Sequence, residues 1–148
     1  MSEQLIEKKL SEIFGFLDVS PEVEITPQEE EGYNVFIEGP DLNFLIGRYG
    51  RGLDALQTIL GLMLFKETGE WIRNSVDING YRQRRVEKLQ DMAKGFIDRV
   101  RFFQNEVMLP PMAPWERRHV HIFISEYEDI ESESVGEGRD RRVTLRIK

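Results

Sequence analysis

The residues best suited to hold a phosphate are Gly47-Arg48-Tyr49-Gly50, followed by Arg51. Glycine tolerates positive φ and has no Cβ to block a ligand, so two glycines three apart allow a tight turn. The helix predicted after this turn would present unpaired N–H groups and the positive end of its dipole. Arg48 and Arg51 add positive charge, and Tyr49 offers a ring on which a base could stack. This combination is typical of a clamp for a nucleic-acid backbone, although Gly-x-x-Gly taken alone is also a plain turn between helices.

A second candidate for phosphate chemistry is the pair Arg117 and His121. Residues four apart share one face of a helix. Arginine binds a phosphate with two parallel N–H groups, and histidine donates through a ring N–H. The other interpretation of this spacing is a surface ion pair or a helix cap. Further arginines are expected to assist at this site: Arg118, Arg139, Arg141 and Arg142.

Composition limits the other classes of chemistry. The chain has 148 residues, no cysteine and two histidines, which excludes disulfides and thiolate metal sites and disfavours a histidine metal cluster. No segment reaches the roughly 18 apolar residues that span a bilayer, and no signal peptide opens the chain. We therefore expect a cytoplasmic protein without membrane insertion, metal or cofactor.

The net charge of −7 argues against a nucleic-acid partner until its distribution is considered. Residues 1–46 contain 11 acidic and 2 basic side chains, whereas residues 81–118 contain 5 acidic and 9 basic ones. The last ten residues contain 5 basic side chains and 1 acidic one. An acidic protein with charge segregated in this way can still present basic patches.

Hydrophobic periodicity predicts helix, strand, strand, helix, helix and strand in the first half of the chain. These elements are placed at residues 3–17, 23–26 and 33–38, in a short segment before Gly47, from the glycine turn to about residue 65, and at 72–78. Residues 27–32 are predicted to form a polar turn. Asp41 is predicted to cap the short helix, and Phe36 to pack on the face of its strand opposite Val35.

The second half is predicted to begin with a long helix at residues 80–104, whose apolar stripe extends to Phe103. Its first turns contain an unbalanced basic cluster formed by Arg82, Arg84 and Arg85. A short strand at 106–109, a helix with Pro114 near its first position and strands near 130–135 and 141–147 follow. Trp115 is expected to contribute packing, and His119 receives no role.

The block Leu45-Ile46-Gly47-Arg48-Tyr49-Gly50, with Leu53-Asp54-Ala55-Leu56-Gln57 after it, resembles the bacterial Jag/KhpB (SpoIIIJ-associated) family. Members of this family join a type II KH domain to an R-x3-H domain. The Leu-Pro-Pro-Met and Glu-Arg-Arg residues around Arg117 and the basic ending also resemble the family's second domain. The resemblance implies an α+β protein, with a KH domain (α-β-β-α-α-β) at 1–79 and an R-x3-H α/β domain with a three-stranded sheet at 80–148.

The resemblance further implies a non-enzymatic protein that binds single-stranded RNA, or single-stranded DNA. An RNA chaperone or post-transcriptional regulator linked to cell envelope growth and division is expected, as a homodimer or as a heterodimer with a small single-KH protein. The sequence departs from the family pattern at two points. It begins at the first KH helix, where members often have a preceding domain, so a short or trimmed form is expected. Gly52 replaces a usually polar residue and is expected to loosen the helix start by up to about 1 kcal/mol.

Two other functions fit the sequence less well. An enzyme is disfavoured because the glycine turn lacks the Gly-Lys-Ser/Thr of a P-loop, and neither a nucleophile elbow nor a metal-ligand spacing is present. The stronger alternative is a protein-interaction module that dimerises through the KH scaffold and has no strong affinity for nucleic acid. It predicts that no salt-dependent RNA binding exists.

Overall fold

Two compact units make up the chain, one ending at Arg82 and the other extending from Gln83 to Lys148. The computed structural model of the protein describes residues 2–148. The predicted α+β class is confirmed, and so is the order of the elements in both halves. None of the helices in the described residues is long and apolar enough to cross a membrane.

The first unit consists of a three-stranded sheet and the helices that cover one of its faces. Its elements are α1 (Ser2–Leu17), β1 (Glu22–Gln28), β2 (Gly32–Glu38), α2 (Asn43–Ile46), α3 (Arg51–Thr68) and β3 (Arg73–Ile78). In the sheet, β2 is central, antiparallel to β1 and parallel to β3. Val35 and Ile37 of β2 lie on the same face of the sheet as Val76 and Ile78 of β3, since residues two apart on a strand share one face. Leucine and isoleucine side chains of α1 and α3 pack against these four residues.

The second unit begins within α4 (Tyr81–Phe103). It continues with β4 (Val107–Met108), α5 (Pro114–Ile124), β5 (Ile130–Val135) and β6 (Arg142–Ile147). The three strands form an antiparallel sheet in the order β4-β6-β5. Leu89, Ala93, Ile97 and Val100 give α4 its buried stripe. They pack in one core with Val120 and Ile124 of α5 and with Val143 and Leu145 of β6.

Four details of the predicted elements were wrong. Asp41 does not cap α2: it has φ +59°, and the N-cap position is taken by Leu42, whose side chain is buried in the core. Pro27 continues β1 and pairs with Tyr33, since a proline is tolerated in an edge strand.

The other two details concern packing. Phe36 is 41% exposed because the helices cover only the opposite face of its strand. Phe103 lies in the last turn of α4, beyond the buried stripe, where it contacts the exposed ring of Phe102 edge-on.

Candidate nucleic-acid interface

The glycine loop, residues 47–50, joins α2 to α3 in a conformation that requires its glycines. Gly47 and Gly50 have φ of +69° and +75°. A Cβ on Gly47 would lie 2.8 Å from the Gly52 nitrogen, and one on Gly50 would lie 2.9 Å from Cε1 of Tyr81. Tyr49 is also left-handed, with φ +58°. The loop therefore combines positive φ with close backbone packing, and both demand glycine at its two ends.

Gly52, in the first turn of α3, is required by space, and the predicted loosening of the helix start stays a prediction. A Cβ at this position would lie 2.3 Å from the carbonyl oxygen of Leu45 and 3.0 Å from the Ile46 carbonyl. The start of α3 thus packs directly against the backbone that leads into the glycine loop. Sequence reasoning missed this role, although the spacing Gly47-x-x-Gly50-x-Gly52 was the available signal.

The two arginines at the glycine loop are presented to solvent, and Tyr49 between them is half-buried. Arg48 and Arg51 are exposed, and neither forms an ion pair with a described residue. The Arg48 guanidinium lies 5.1 Å from the centroid of the Tyr49 ring, which is within the range of a cation–π contact. Phe44, one turn earlier in α2, is 57% exposed. Sequence analysis did not select Phe44, yet it adds a second aromatic surface on the helix that enters the loop.

The basic cluster predicted at the start of α4 is largely neutralised by structural contacts. Arg82 pairs with Asp54 at 3.2 Å and also donates to the Val76 carbonyl. Arg85 pairs with Glu116 at 2.8 Å. Only Arg84 of the three is exposed. This cluster is therefore a weaker candidate for strand binding than its charge suggested.

In the second unit, two serines of β5 contact the two ring nitrogens of His121, which lies on α5. Nδ1 lies 2.7 Å from the Ser132 hydroxyl, and Nε2 lies 2.7 Å from the Ser134 hydroxyl. The two serines share one face of β5 because they are two residues apart. Arg117 lies one turn before His121 and donates through Nη1 to the Met112 carbonyl at 2.8 Å. The structure thus adds two serines to the predicted Arg117–His121 pair.

Positive charge surrounds His121. Burial lowers the pKa of its ring, and the Arg117 and Arg141 charges lower it further. The pKa of Arg117 is itself lowered, chiefly by burial and then by Arg141. Neither group forms an ion pair with a carboxylate of the described residues, whereas a carboxylate partner would raise both pKa values. An anion placed here would relieve the repulsion among these three groups.

The remaining predicted arginines lie at or near the second sheet. Arg118 and Arg139 are exposed, and Arg141 and Arg142 are half-buried. Arg141 donates to the Gly136 carbonyl and Arg142 to the Asp140 carbonyl, which orients both guanidinium groups around the β5–β6 turn. Of this set, Arg141 is the one whose charge acts on both Arg117 and His121.

A fully buried carboxylate fixes the start of α5. Glu116 is 0% exposed, and its Oε2 accepts the Ala113 N–H at 3.1 Å while its Oε1 accepts from Arg85 Nε at 2.8 Å. The first contact satisfies an N–H that the helix leaves unpaired. Trp115 is half-buried and meets the exposed His119 ring edge-on, in keeping with the predicted packing role.

Within residues 2–148, no group of three or more histidine, aspartate or glutamate side chains is arranged to hold a metal ion. The described residues that gather at the two motifs are arginines, glycines, aromatic residues, serines and one histidine. Such side chains bind anions and bases by charge, hydrogen bonding and stacking.

Two family models match the chain, one on each half. Residues 3–78 match the KH domain of KhpA/KhpB, and residues 87–146 match the R-x3-H domain. The second match includes Arg117, His121 and both serines that hold the histidine ring.

Two curated relatives, both named RNA-binding protein KhpB, are similar to most of this chain. The protein from Clostridium symbiosum is 32% identical over 140 residues, which are 94% of this chain and 63% of that protein. The protein from Bacillus subtilis is 32% identical over 128 residues, 84% of this chain and 62% of that protein. The chain therefore spans somewhat less than two thirds of the length of these relatives.

Proposed function

This chain belongs to the KhpB/Jag family, whose members join a KH domain to an R-x3-H domain, and we propose that it binds single-stranded RNA through both. The observation that carries the proposal is that the arginines at the two motifs lack carboxylate partners among the described residues. Arg48, Arg51 and Arg117 form no ion pair with a described residue, and the same holds for Arg118, Arg139, Arg141 and Arg142. Elsewhere in the chain, several cations are neutralised by carboxylates.

In the KH domain, we assign strand binding to Gly47, Arg48, Tyr49, Gly50 and Arg51. A phosphate can approach the glycine backbone closely because no Cβ stands in its way, and the arginines supply charge on either side. A KH domain uses its GXXG loop to clamp about four nucleotides. The relatives' name, RNA-binding protein KhpB, supports RNA as the ligand.

In the R-x3-H domain, we assign a phosphate to the surface formed by Arg117, His121 and Arg141. The ring of His121 is oriented by Ser132 and Ser134. Arg118, Arg139 and Arg142 would add charge around this site. A bound phosphate would favour the protonated ring, whose two N–H groups would donate to the Ser132 and Ser134 hydroxyls and leave the hydroxyl hydrogens to donate to the phosphate.

We further propose that the protein acts as an RNA chaperone or post-transcriptional regulator rather than as an enzyme. The support is the family resemblance, which links such proteins to cell envelope growth and division.

The test is fluorescence anisotropy of a labelled single-stranded RNA octamer across a salt series. Each phosphate contact on a single strand contributes about −0.7 to the slope of log K against log salt. Arg48→Gln with Arg51→Gln should therefore reduce the steepness by about 1.4, and Arg117→Ala with His121→Ala should also weaken binding. Arg99→Gln is the matched control, because Arg99 is an exposed arginine that stacks on Phe96.

Loss of affinity in both double variants, with Arg99→Gln unchanged, would support the two assignments. Wild-type protein that fails to bind at low salt would contradict the proposal. A DNA octamer of the same sequence decides between RNA and single-stranded DNA.

A second candidate function is pairing with another KH domain. Ile59, Leu62 and Phe65 lie on the solvent side of α3 and are each about half exposed. A contiguous apolar strip on a helix is typical of a protein contact. We propose a second KH domain of this type as the occupant, in another copy of the chain or in a small single-KH protein, because the matching model covers both KhpA and KhpB.

Sedimentation of Leu62→Asp against wild type tests this pairing. A homodimer would dissociate in the variant. If the wild type sediments as a monomer, mixing with a single-KH protein decides whether the strip forms a heterodimer. A monomeric wild type without such a complex would contradict the pairing.

A further inference from the structure

A polar pocket of about 440 Å³ lies at the edge of the KH sheet, separate from the glycine loop. Its lining comprises residues of all three parts of the domain that meet there: Gln28 of β1, Gln57 and Thr58 of α3, Arg73, Asn74 and Ser75 of β3, and Trp71. This volume falls within the range of small-molecule sites, about 300–1,000 Å³. Its amide and hydroxyl lining suits a neutral polar ligand.

Trp71 is an exposed aromatic ring held in place by the helix behind it. It is 62% exposed, and a Cβ on Gly61 would lie 3.0 Å from its Cη2 atom. The absence of a side chain at Gly61 lets the indole lie against α3. Its centroid is 6.4 Å from that of Phe65. The ring therefore has a defined position and a free surface on which a base could stack.

Asn74 contributes a buried amide that protein groups leave largely unsatisfied. It is 9% exposed, and its Nδ2 reaches only the Ile72 carbonyl, at 3.5 Å. Its Oδ1 accepts no hydrogen bond from the described residues. Buried polar atoms are normally paired, and because this oxygen is inaccessible, a base can donate to it only once the Asn74 amide turns toward the pocket.

Gln57 is oriented so that it can provide the complementary donor. Its Oε1 accepts the Val76 N–H at 3.0 Å and lies 3.4 Å from Arg82 Nη2, so Nε2 is the polar group of this amide that these contacts leave over. The pocket is thus lined by two amides on neighbouring elements. The cation in its lining, Arg73, is paired with Glu30 at 2.8 Å, which makes the pocket a poor phosphate site.

We propose that this pocket takes one nucleobase of the bound strand, stacked on Trp71 and hydrogen-bonded through Asn74 and Gln57. The unstacked bases of a single strand present adjacent donors and acceptors on their Watson–Crick edges, and aromatic rings bind their faces. The inference rests on the proposed RNA-binding function, since the strand delivers the base. It adds a base contact to the backbone contacts of the glycine loop.

Tryptophan emission provides a direct test, because the chain contains two tryptophans. In the Trp115→Phe protein the signal comes from Trp71 alone. Titration with an unlabelled RNA octamer should quench this emission over the same concentration range in which anisotropy reports binding. An abasic octamer should bind more weakly and leave the emission unchanged.

Affinity measurements separate stacking from a structural effect. Base–aromatic stacking changes affinity by about 5- to 100-fold per base, so Trp71→Ala should weaken RNA binding within that range. Trp71→Phe retains a ring and should recover most of the affinity. Phe16→Ala, at an aromatic residue of α1 that is 92% exposed, is the control and should have no effect.

Anisotropy that shows binding without quenching, together with an unchanged affinity of Trp71→Ala, would overturn the pocket and leave the RNA-binding proposal intact. Absence of any anisotropy change at low salt would overturn both. Quenching by free nucleosides but not by the octamer would also overturn the inference, because it would place a small metabolite in the pocket instead of a strand.

Discussion

Replacing Gly52 with alanine isolates the packing that shapes the glycine loop. In an ordinary helix this substitution is favourable by about 0.5–1 kcal/mol, because alanine loses less conformational entropy on folding. At Gly52 the added Cβ would lie 2.3 Å from the Leu45 carbonyl oxygen and 3.0 Å from the Ile46 carbonyl. These neighbours are backbone atoms, which cannot rotate away as a side chain could.

The clash is therefore expected to reverse the sign of the substitution. Overpacking of a methylene-sized group typically costs about 1–3 kcal/mol, which exceeds the intrinsic gain of alanine. Because the 2.3 Å contact is with a backbone atom, the upper part of that cost applies, about 2–3 kcal/mol, and we expect Gly52→Ala to destabilise the KH domain by about 1–2.5 kcal/mol after the gain is subtracted. The backbone before Gly47 must shift to relieve the contact, so RNA affinity should fall as well.

The assay is urea unfolding of the full chain, followed by Trp71 fluorescence in the Trp115→Phe background so that the signal reports on the KH domain. Gly15→Ala in α1 is the matched control, since a Cβ on Gly15 would meet nothing within 4 Å. Gly95→Ala, equally open in α4, is a second control and is followed by circular dichroism. Both controls should stabilise the protein by up to about 1 kcal/mol.

The reasoning would be refuted if Gly52→Ala stabilised the domain as much as Gly15→Ala does. Destabilisation without loss of RNA affinity would show that α3 shifts and the glycine loop does not. That result would support the close packing of Gly52 and contradict its importance for RNA binding.

Two further predictions concern the R-x3-H domain. RNA affinity should rise as the pH falls through the pKa of His121 in the complex and level off below the pKa of the free protein, because burial, Arg117 and Arg141 lower the free pKa and a bound phosphate would raise it. The gain in affinity is limited to about tenfold for each unit by which the phosphate raises the His121 pKa. Anisotropy titrations across pH measure this gain. An equal pH dependence in His121→Gln would contradict the prediction. Glu116→Ala should destabilise the domain by about 3 kcal/mol, because it removes the buried carboxylate that accepts from both Arg85 Nε and the Ala113 N–H. A loss of unfolding free energy below about 1 kcal/mol in urea would exclude a stabilising role for the Glu116 carboxylate. The control is Glu137→Ala at an exposed position, which should change stability by less than about 0.5 kcal/mol.

The fold was predictable because local signals agree with one another along this chain. Gly69 takes the left-handed conformation that ends α3, and Pro114 opens α5, as expected from glycine after a helix and proline at its start. Apolar residues at helical and alternating spacing identify the core of each unit. The errors at Asp41 and Phe103 occurred at element ends, where burial of neighbouring residues decides the register.

Contacts between distant residues were not predictable from the sequence. The serines that hold His121 lie 11 and 13 residues away, and no local pattern indicates which strand faces α5. The close approach of Gly52 to Leu45 likewise depends on how the start of α3 packs against the backbone of α2. For the same reason the polar pocket beside Trp71 became visible only once α3 and β3 were placed together.

Net charge gives a misleading picture of this protein because it does not show which cations are already neutralised. Arg73, Arg82 and Arg101 each pair with a carboxylate. Such pairs contribute little to the field that a phosphate would meet, since each cation is offset by a nearby anion. The arginines at the glycine loop and around His121 have no such partner in the part of the chain that the structure describes. An acidic chain can therefore bind a polyanion, and the salt dependence of binding should follow the arginines of these two motifs instead of the net charge of −7.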